Sequence, residues 1–255
     1  MNKKSLFPIT VDTMFNSGCS YRIPIYQRSF AWEEEHILQL IEDIRGNGEG
    51  YFLGNLIVYE DKEEKNTFIV IDGQQRLTTL FIIYKAMPKE TKMVIKMNLK
   101  FEHRTDSEEL LKSLDTNDYD NDLNWSEKIV NGHRSVKEIL ASIKDSELEV
   151  FINRLKKAKM LQVSVPGGTN LNHYFEIMNT RGKQLEKIDI LKSRLMKNLS
   201  EGSKIIFANI WDACSNMNEY VVKNIKKPGI YSEYFIVNED SFEWTGSNEL
   251  VERQE

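Results

Sequence analysis

The chain has 255 residues, of which 40% are hydrophobic and 29% charged, and it carries a net charge of −5. That balance reads as a water-soluble globular chain, long enough for one large core or two modest ones. It excludes a protein that coats nucleic acid by bulk attraction, while a local basic groove stays open. No run approaches the length of a membrane span, and Met1-Asn2-Lys3-Lys4-Ser5 leads into no apolar signal core. Cys19 and Cys214 lie far apart in no metal-ligand or redox pattern, as expected of reduced thiols in the cytoplasm.

In chain order, residues 8–17 read as a short helix with Pro8 near its start and Gly18 as the stop. An extended segment follows from Tyr21 to Trp32, held by Pro24 and bracketed by Arg22 and Arg28. Glu33, Glu34 and Glu35 crowd the first turn of the next helix, where carboxylates suit the macrodipole. Its inward positions are Ile37, Leu38, Leu40, Ile41 and Ile44, and Gly46 and Gly48 end it. Strands over Phe52–Glu60 and Thr67–Ile71, joined by a polar turn, predict a hairpin.

The central stretch is Phe68 to Leu80. An apolar run short enough for a buried strand breaks at Asp72-Gly73, and helical spacing resumes at Leu77, Leu80, Phe81 and Tyr84. Between strand and helix stand a carboxylate (Asp72), a glycine (Gly73), two amides (Gln74, Gln75) and a rigid cationic fork (Arg76). A helix entered this way aims its N-terminus at whatever binds there and favours an anion. The same residues also suit a plain strand-to-helix turn, and the Gly-Lys-Ser/Thr phosphate loop is absent.

That helix stops near Met87, before Pro88, and Met93–Phe101 alternates like a further strand. Residues 102–125 are acidic and loop-rich, and read as an exposed linker between two sub-domains. Asp118, Asp120 and Asp122 imitate a calcium loop without its glycine or distal glutamate. Glu60 and Lys62, with Asp43 upstream, imitate a metal-dependent nuclease pattern but fall on the charged lip of a turn. Helices are expected over about 126–143 and 146–158, then a strand from Met160 to Val165. Lys156, Lys157 and Lys159 suit the dipole at the second helix's end. Helical spacing from Leu171 to Met178 ends at Asn179-Thr180-Arg181-Gly182, and a second helix carries Ile188, Ile190, Leu191 and Leu195 inward. This region is locally basic, through Arg181, Lys183, Lys187, Lys192, Arg194 and Lys197. The turn is either an anion site or a simple helix cap. A last helix spans 203–225, and the acidic, aromatic stretch 231–255 does not read as a third domain.

Three stretches taken together resemble a known family. They are Ile23-Pro24-Ile25-Tyr26-Gln27-Arg28-Ser29-Phe30-Ala31-Trp32, then Phe52-Leu53-Gly54-Asn55-Leu56 leading into Asp72-Gly73-Gln74-Gln75-Arg76-Leu77-Thr78, and then Asn179-Thr180-Arg181-Gly182 through Asp189 and Lys192. In this order, over about residues 8–220, they are similar to the N-terminal domain of GmrSD-type restriction enzymes. That domain also occurs in SspE-like defence proteins and is distantly similar to ParB and sulfiredoxin folds. The resemblance implies an α+β fold: a small ParB/sulfiredoxin-like mixed sheet with helices over 1–101, the linker at 102–125, a mainly helical sub-domain over 126–228 that completes the site, and an acidic tail over 229–255.

It further implies a module that binds and hydrolyses a nucleoside triphosphate within a restriction or phage-defence system, as sensor or regulator of a nuclease. The catalytic set would be Asp72, Gln74, Gln75 and Arg76, with Asp72 holding Mg2+ or activating water, a glutamine orienting that water, and Arg76 with Arg28 neutralising phosphate. Tyr26, Gln27, Arg28, Asn55, Gly73, Thr78, Asn179, Arg181 and Lys192 would complete the nucleotide site. Implied partners are the nucleotide, DNA (modified DNA included), a nuclease domain or subunit outside this chain, and a second copy in a homodimer.

The alternative is a ParB-type, nucleotide-gated DNA-binding module without significant hydrolysis. A redox role is disfavoured, because neither cysteine lies by the Asp72 loop. His36, His103, His133 and His173 fall in no nuclease pattern, so no histidine–metal DNA cleavage is expected. A truncated chain, a degraded gene and a sensing subunit all fit that departure.

Overall fold

The computed structural model describes residues 8–91, 95–102, 109–111, 113–114, 127–165, 187–197, 199–215, 235–238 and 241–244. In chain order these form β1 (Pro8–Thr10), α1 (Val11–Phe15), β2 (Ser20–Ile23), α2 (Glu34–Gly46), β3 (Phe52–Glu60), β4 (Thr67–Asp72), α3 (Gln74–Ala86) and β5 (Asn98–Phe101). There follow α4 (Glu127–Ser142), α5 (Asp145–Lys157), β6 (Lys159–Val165), α6 (Lys187–Met196), α7 (Glu201–Ser215), β7 (Phe235–Asn238) and β8 (Ser241–Trp244). The class is α+β. Met1–Ala208 forms one compact unit and Asn209–Glu255 a second.

Six strands of the first unit form one mixed sheet in the order β1-β6-β3-β4-β2-β5. The β3–β4 hairpin at its centre is antiparallel, with a register shift between Ile57 and Val58. On its flanks β6 runs parallel to β3, and β2 runs parallel to both β4 and β5. Because successive side chains of a strand face opposite ways, the hairpin supplies two cores. Leu56, Val58 and Val70 join the large core beneath the helices, whereas Ile57 and Ile71 join Val165 in a smaller cluster with Tyr26 and Tyr59.

On the large-core side α4 packs on α2 and α3, and α5 on α1 and α2. Gly132 of α4 admits the Ile37 side chain of α2 where a methyl group would stand 2.8 Å from its Cδ1. Helix α3 is buried nearly all round: Leu77, Thr78, Thr79, Leu80, Ile82 and Ile83 are each at most 1% exposed. A helix covered on every side does not need a polar face. That is why Ile82 and Ile83 sit beside the stripe of Leu77, Leu80, Phe81 and Tyr84 that the spacing marked.

Several expectations change. Residues 8–17 are not all helix. Pro8, Ile9 and Thr10 pair antiparallel with Leu161, Met160 and Lys159, and the helix begins only at Val11, where the Thr10 hydroxyl accepts the Thr13 N–H at 3.1 Å. Because β1 is an edge strand, the missing N–H of Pro8 leaves no interior ladder bond open. The strand expected from Met93 is shorter and begins at Asn98; ahead of it, Lys96 and Met97 donate to the Phe15 carbonyl at 2.7 and 2.9 Å.

The linker expectation also gives way. Leu110, Leu111 and Leu114 are buried in the large core, and β6 lies hydrogen-bonded between β1 and β3. The segments on either side of 102–125 therefore share one sheet and one core. The surrounding aspartates and asparagines concealed an apolar trio at near-helical spacing. In the second unit, β7 and β8 pair antiparallel with Phe235 opposite Trp244 and Asn238 opposite Ser241, a hairpin that the acidic composition had not announced. The helix expected over Leu171–Met178 lies outside the described residues. Among the described residues no helix is long and apolar enough to cross a membrane.

Candidate nucleotide site

The site is built where β4 becomes α3. Asp72 ends β4 opposite Ile57, half-buried. The chain then turns through Gly73 at φ +92°, and α3 starts with no side chain capping it. Only glycine fits here, for two reasons. The left-handed conformation disfavours a side chain, and a Cβ would stand 2.9 Å from the Asn55 carbonyl oxygen and 3.2 Å from Leu56 Cδ1. The tight passage brings β3 and the first turn of α3 together.

The glutamines of that first turn reach sideways. Gln74 Nε2 donates to the Arg28 carbonyl at 2.9 Å. Gln75 Nε2 donates to the Ser29 carbonyl at 3.1 Å, and Gln75 Oε1 accepts the Ala31 N–H at 2.9 Å. From the other side, the buried Gln27 donates from Nε2 to the Val70 and Ile71 carbonyls at 2.6 and 3.0 Å. Three amides thus stitch the Tyr26–Trp32 segment onto the end of β4 and the start of α3. The two leading stretches of the sequence meet here. Arg28 is exposed on the clamped segment, so its guanidinium is available to solvent or ligand. Each end of the Gln75 amide thus engages a backbone group.

Arg76 is also held. Its Nη1 donates to the Leu53 carbonyl, and the guanidinium fills the space that a side chain at Gly54 would need. Gly54 itself sits at φ +104° beside a register shift in β3. Nearby, the Tyr51 hydroxyl donates to Asp43 Oδ2 at 3.0 Å. Burial and the Asp43 carboxylate raise its pKa, while the charge of Arg76 opposes them. Since Gln39 also donates to Asp43, at 2.8 Å, that carboxylate is committed away from Glu60 and Lys62. Thr78 is buried in α3, and the Asn55 side chain is exposed on β3.

The third stretch approaches through α6. Met196 packs with Ile25 and Ala208 in a small cluster bordered by Tyr26, Ile205 and Phe207. Lys192 is fully buried, and one helical turn before Met196 it shares that residue's face of α6. The face carrying Lys192 therefore lies toward the Ile25–Tyr26 backbone that leads into Gln27 and Arg28. Burial, then the Glu102 carboxylate, push the Tyr26 phenol well above its ordinary pKa. Glu102 in turn accepts the Ile25 N–H at 3.1 Å. Asn179 and Arg181 lie outside the described residues.

Sequence reasoning assigned no part to Gly54 or Glu102. The signal for Gly54 was there, because a glycine inside a strand pattern marks a bulge or a close approach. Glu102 carried no comparable signal, since its partner is a backbone N–H distant in sequence. Among the described residues no three His, Cys, Asp or Glu side chains gather as a metal cage. Asp72 offers one half-buried carboxylate at the turn, a donor of the type Mg2+ takes alongside waters and phosphates.

These features define an α+β domain whose central sheet presents a strand–Asp-Gly–helix turn clamped by glutamines. Residues 11–196 match the family described as the GmrSD restriction endonuclease, N-terminal domain, and the chain belongs to that family. It is thus a domain of a restriction and defence system. No curated protein gives a significant match.

Proposed function

We propose that this domain binds a nucleoside triphosphate with Mg2+ at the Asp72–Arg76 turn, hydrolyses it, and so senses for or regulates a nuclease within its restriction system. The observation that carries the reading is the glutamine clamp. Gln74 and Gln75 hold the Arg28-bearing segment against the start of a helix that no side chain caps. The positive end of a helix dipole and an exposed guanidinium together favour a polyphosphate. Asp72 would hold the metal ion, which would draw charge from the transferring phosphate. Arg28 neutralises phosphate oxygens, while Arg76, engaged with Leu53, contributes its remaining donors and charge. Gln27, Gln74 and Gln75 position; Lys192 adds positive charge from α6.

The test is calorimetric titration with ATP, GTP, CTP and UTP in Mg2+, coupled to phosphate release with and without DNA. Asp72→Ala should abolish turnover, and Arg28→Ala should weaken binding about tenfold or more. Equal turnover by wild type and Asp72→Ala would sink the hydrolytic part, and an absence of binding by any of the four nucleotides would sink the whole.

One observation favours the second reading, a ParB-type nucleotide-gated DNA binder without significant turnover. The amide of Gln75 already holds Ser29 and Ala31, so one of the two glutamines expected to orient water is committed to backbone groups. That reading expects nucleotide binding without phosphate release, and DNA affinity that falls steeply with salt. A second copy of the chain would suit such a clamp.

A further inference from the structure

Beyond the phosphate turn, one groove stands at the far end of the clamped segment. It has a volume of about 370 Å³ and runs between Trp32 and the exposed side of α4, which presents Asn131, Arg134 and Ser135. Trp32 is fixed: it follows Ala31, whose N–H is bound by Gln75, and its indole stacks on the His36 imidazole, with centroids 5.9 Å apart and planes at 26°. At one side Lys128 and Glu33 form an ion pair, so these two charges largely offset one another. The remaining groups are an aromatic wall, an amide, a hydroxyl, a guanidinium fork and two carboxylates, Glu34 and Glu138, with Arg134 Nη1 donating to Asn131 Oδ1 at 3.4 Å. Glu34 and Glu138 outweigh Arg134, so a cluster of phosphates would find no net positive charge here. A flat heteroaromatic ring with hydrogen-bonding edges would find both a surface to lie against and groups to read it.

We propose that this groove takes the nucleobase of the nucleotide whose phosphates occupy the Asp72–Arg76 turn, with Trp32 as the stacking surface and Asn131 and Arg134 as edge readers. The inference rests on the phosphate-site reading above and adds the element that decides base preference. The spacing is compatible. Arg28 and Trp32 are four residues apart along one segment, hence at most about 14 Å between Cα atoms, within the reach of one extended nucleotide. Gln75 couples the two ends, since the same side chain holds Ser29 by the phosphate turn and Ala31 by the groove.

The experiment compares ATP, GTP, CTP and UTP with inorganic tripolyphosphate, all in Mg2+, on the full chain. It uses wild type, Trp32→Ala, and Asn131→Trp, which fills the groove from an exposed helical position and leaves the core untouched. The proposal expects wild type to bind at least one nucleotide about tenfold or more tighter than tripolyphosphate. Both variants should lose that margin and keep tripolyphosphate affinity. Unchanged nucleotide affinity in both variants, with tripolyphosphate still bound, overturns the groove and leaves the phosphate site standing. Failure of wild type to bind either nucleotide or tripolyphosphate overturns both. If Trp32→Ala weakens a single-stranded oligonucleotide and no free nucleotide, the groove holds a DNA base and the proposal is wrong.

Discussion

The guanidinium of Arg76 occupies the place where Gly54 has no side chain, and it donates to the carbonyl of the neighbouring Leu53. The first turn of α3 is thereby pinned to the bulged start of β3, and the orientation of the candidate site depends on that pin. Gly54→Ala meets two penalties: a side chain at φ +104°, which costs about 1–3 kcal/mol, and expulsion of Arg76. In an Arg76→Ala background only the first remains. Urea unfolding of the four proteins in this cycle should therefore show a double variant more stable than the sum of the single losses. Simple additivity would mean that the two residues do not meet.

Gln75 makes three connections at once, through both ends of its amide and through its carbonyl, which accepts the Thr79 hydroxyl at 2.9 Å. Gln75→Ala should cost about 1–3 kcal/mol, because Ser29 and Ala31 lose partners in a half-buried setting. Gln75→Glu keeps an acceptor for Ala31 but turns an anion toward the Ser29 carbonyl, so it should not rescue. Thermal unfolding reads the stability, and nucleotide titration reads the loosened clamp. If both variants match wild type in both measurements, the clamp has no part in positioning.

Gln27 offers the same test deeper in the sheet. Gln27→Leu preserves size but removes the donor shared by the Val70 and Ile71 carbonyls. A loss of about 1–3 kcal/mol is expected in chemical denaturation. Thr78→Val, in the same core but with its hydroxyl the only change, is the comparison for mere burial of a polar group.

Stability should also fall at high pH in a traceable way. Burial, with Cys19 adding to it, raises the pKa of Tyr21, and burial with Glu102 does so for Tyr26. In the unfolded chain both titrate near 10. Below that pH both states hold the proton and the tyrosines are neutral to stability differences with pH. Above it the unfolded state loses protons first, so stability declines as pH rises through 10 toward the folded values. Tyr21→Phe removes one such group together with the bond to Gln162 Oε1 at 2.8 Å. Its unfolding free energy should start lower at pH 7, by about 1 kcal/mol, and decline less steeply above pH 10. Parallel alkaline limbs for the two proteins would contradict the assignment.

At the other end of the pH scale, Lys100 donates to Glu64 Oε1 at 2.7 Å, and this hydrogen bond leads the causes that lower the Glu64 pKa. The favourable contribution is present above the ordinary glutamate range and fades as pH falls through the lowered value. Lys100→Met should move the Glu64 titration upward in a carboxylate-resolved NMR experiment. The effect on overall stability should be slight, since the pair is surface-exposed and screened by salt.

Much of this domain can be read along the chain, because its signals are local. The break at Asp72-Gly73, the alternation in β3 and β4, and the Pro88 stop of α3 are all consequences of backbone sterics acting over a few residues. The family resemblance rests on the same short stretches. The edge strand at Pro8 and the burial of Leu110, Leu111 and Leu114 could not be read that way, since each depends on a partner more than forty residues distant or on a core assembled from several elements. Nor could the alternation of β6 reveal that it lies between β1 and β3.

The residue types at the candidate site are likewise a property of the sequence: a carboxylate, a glycine, two amides and two guanidiniums. Their division of labour is tertiary. Gln74 and Gln75 read as ligands for water or phosphate, and the fold adds Arg28, Ser29 and Ala31 beside them, so that they also fasten a second segment. Arg76 reads as a free cation until Gly54 leaves space for it against Leu53. An amide or a guanidinium satisfies whichever acceptors lie within about 3 Å, and only the folded sheet determines which those are.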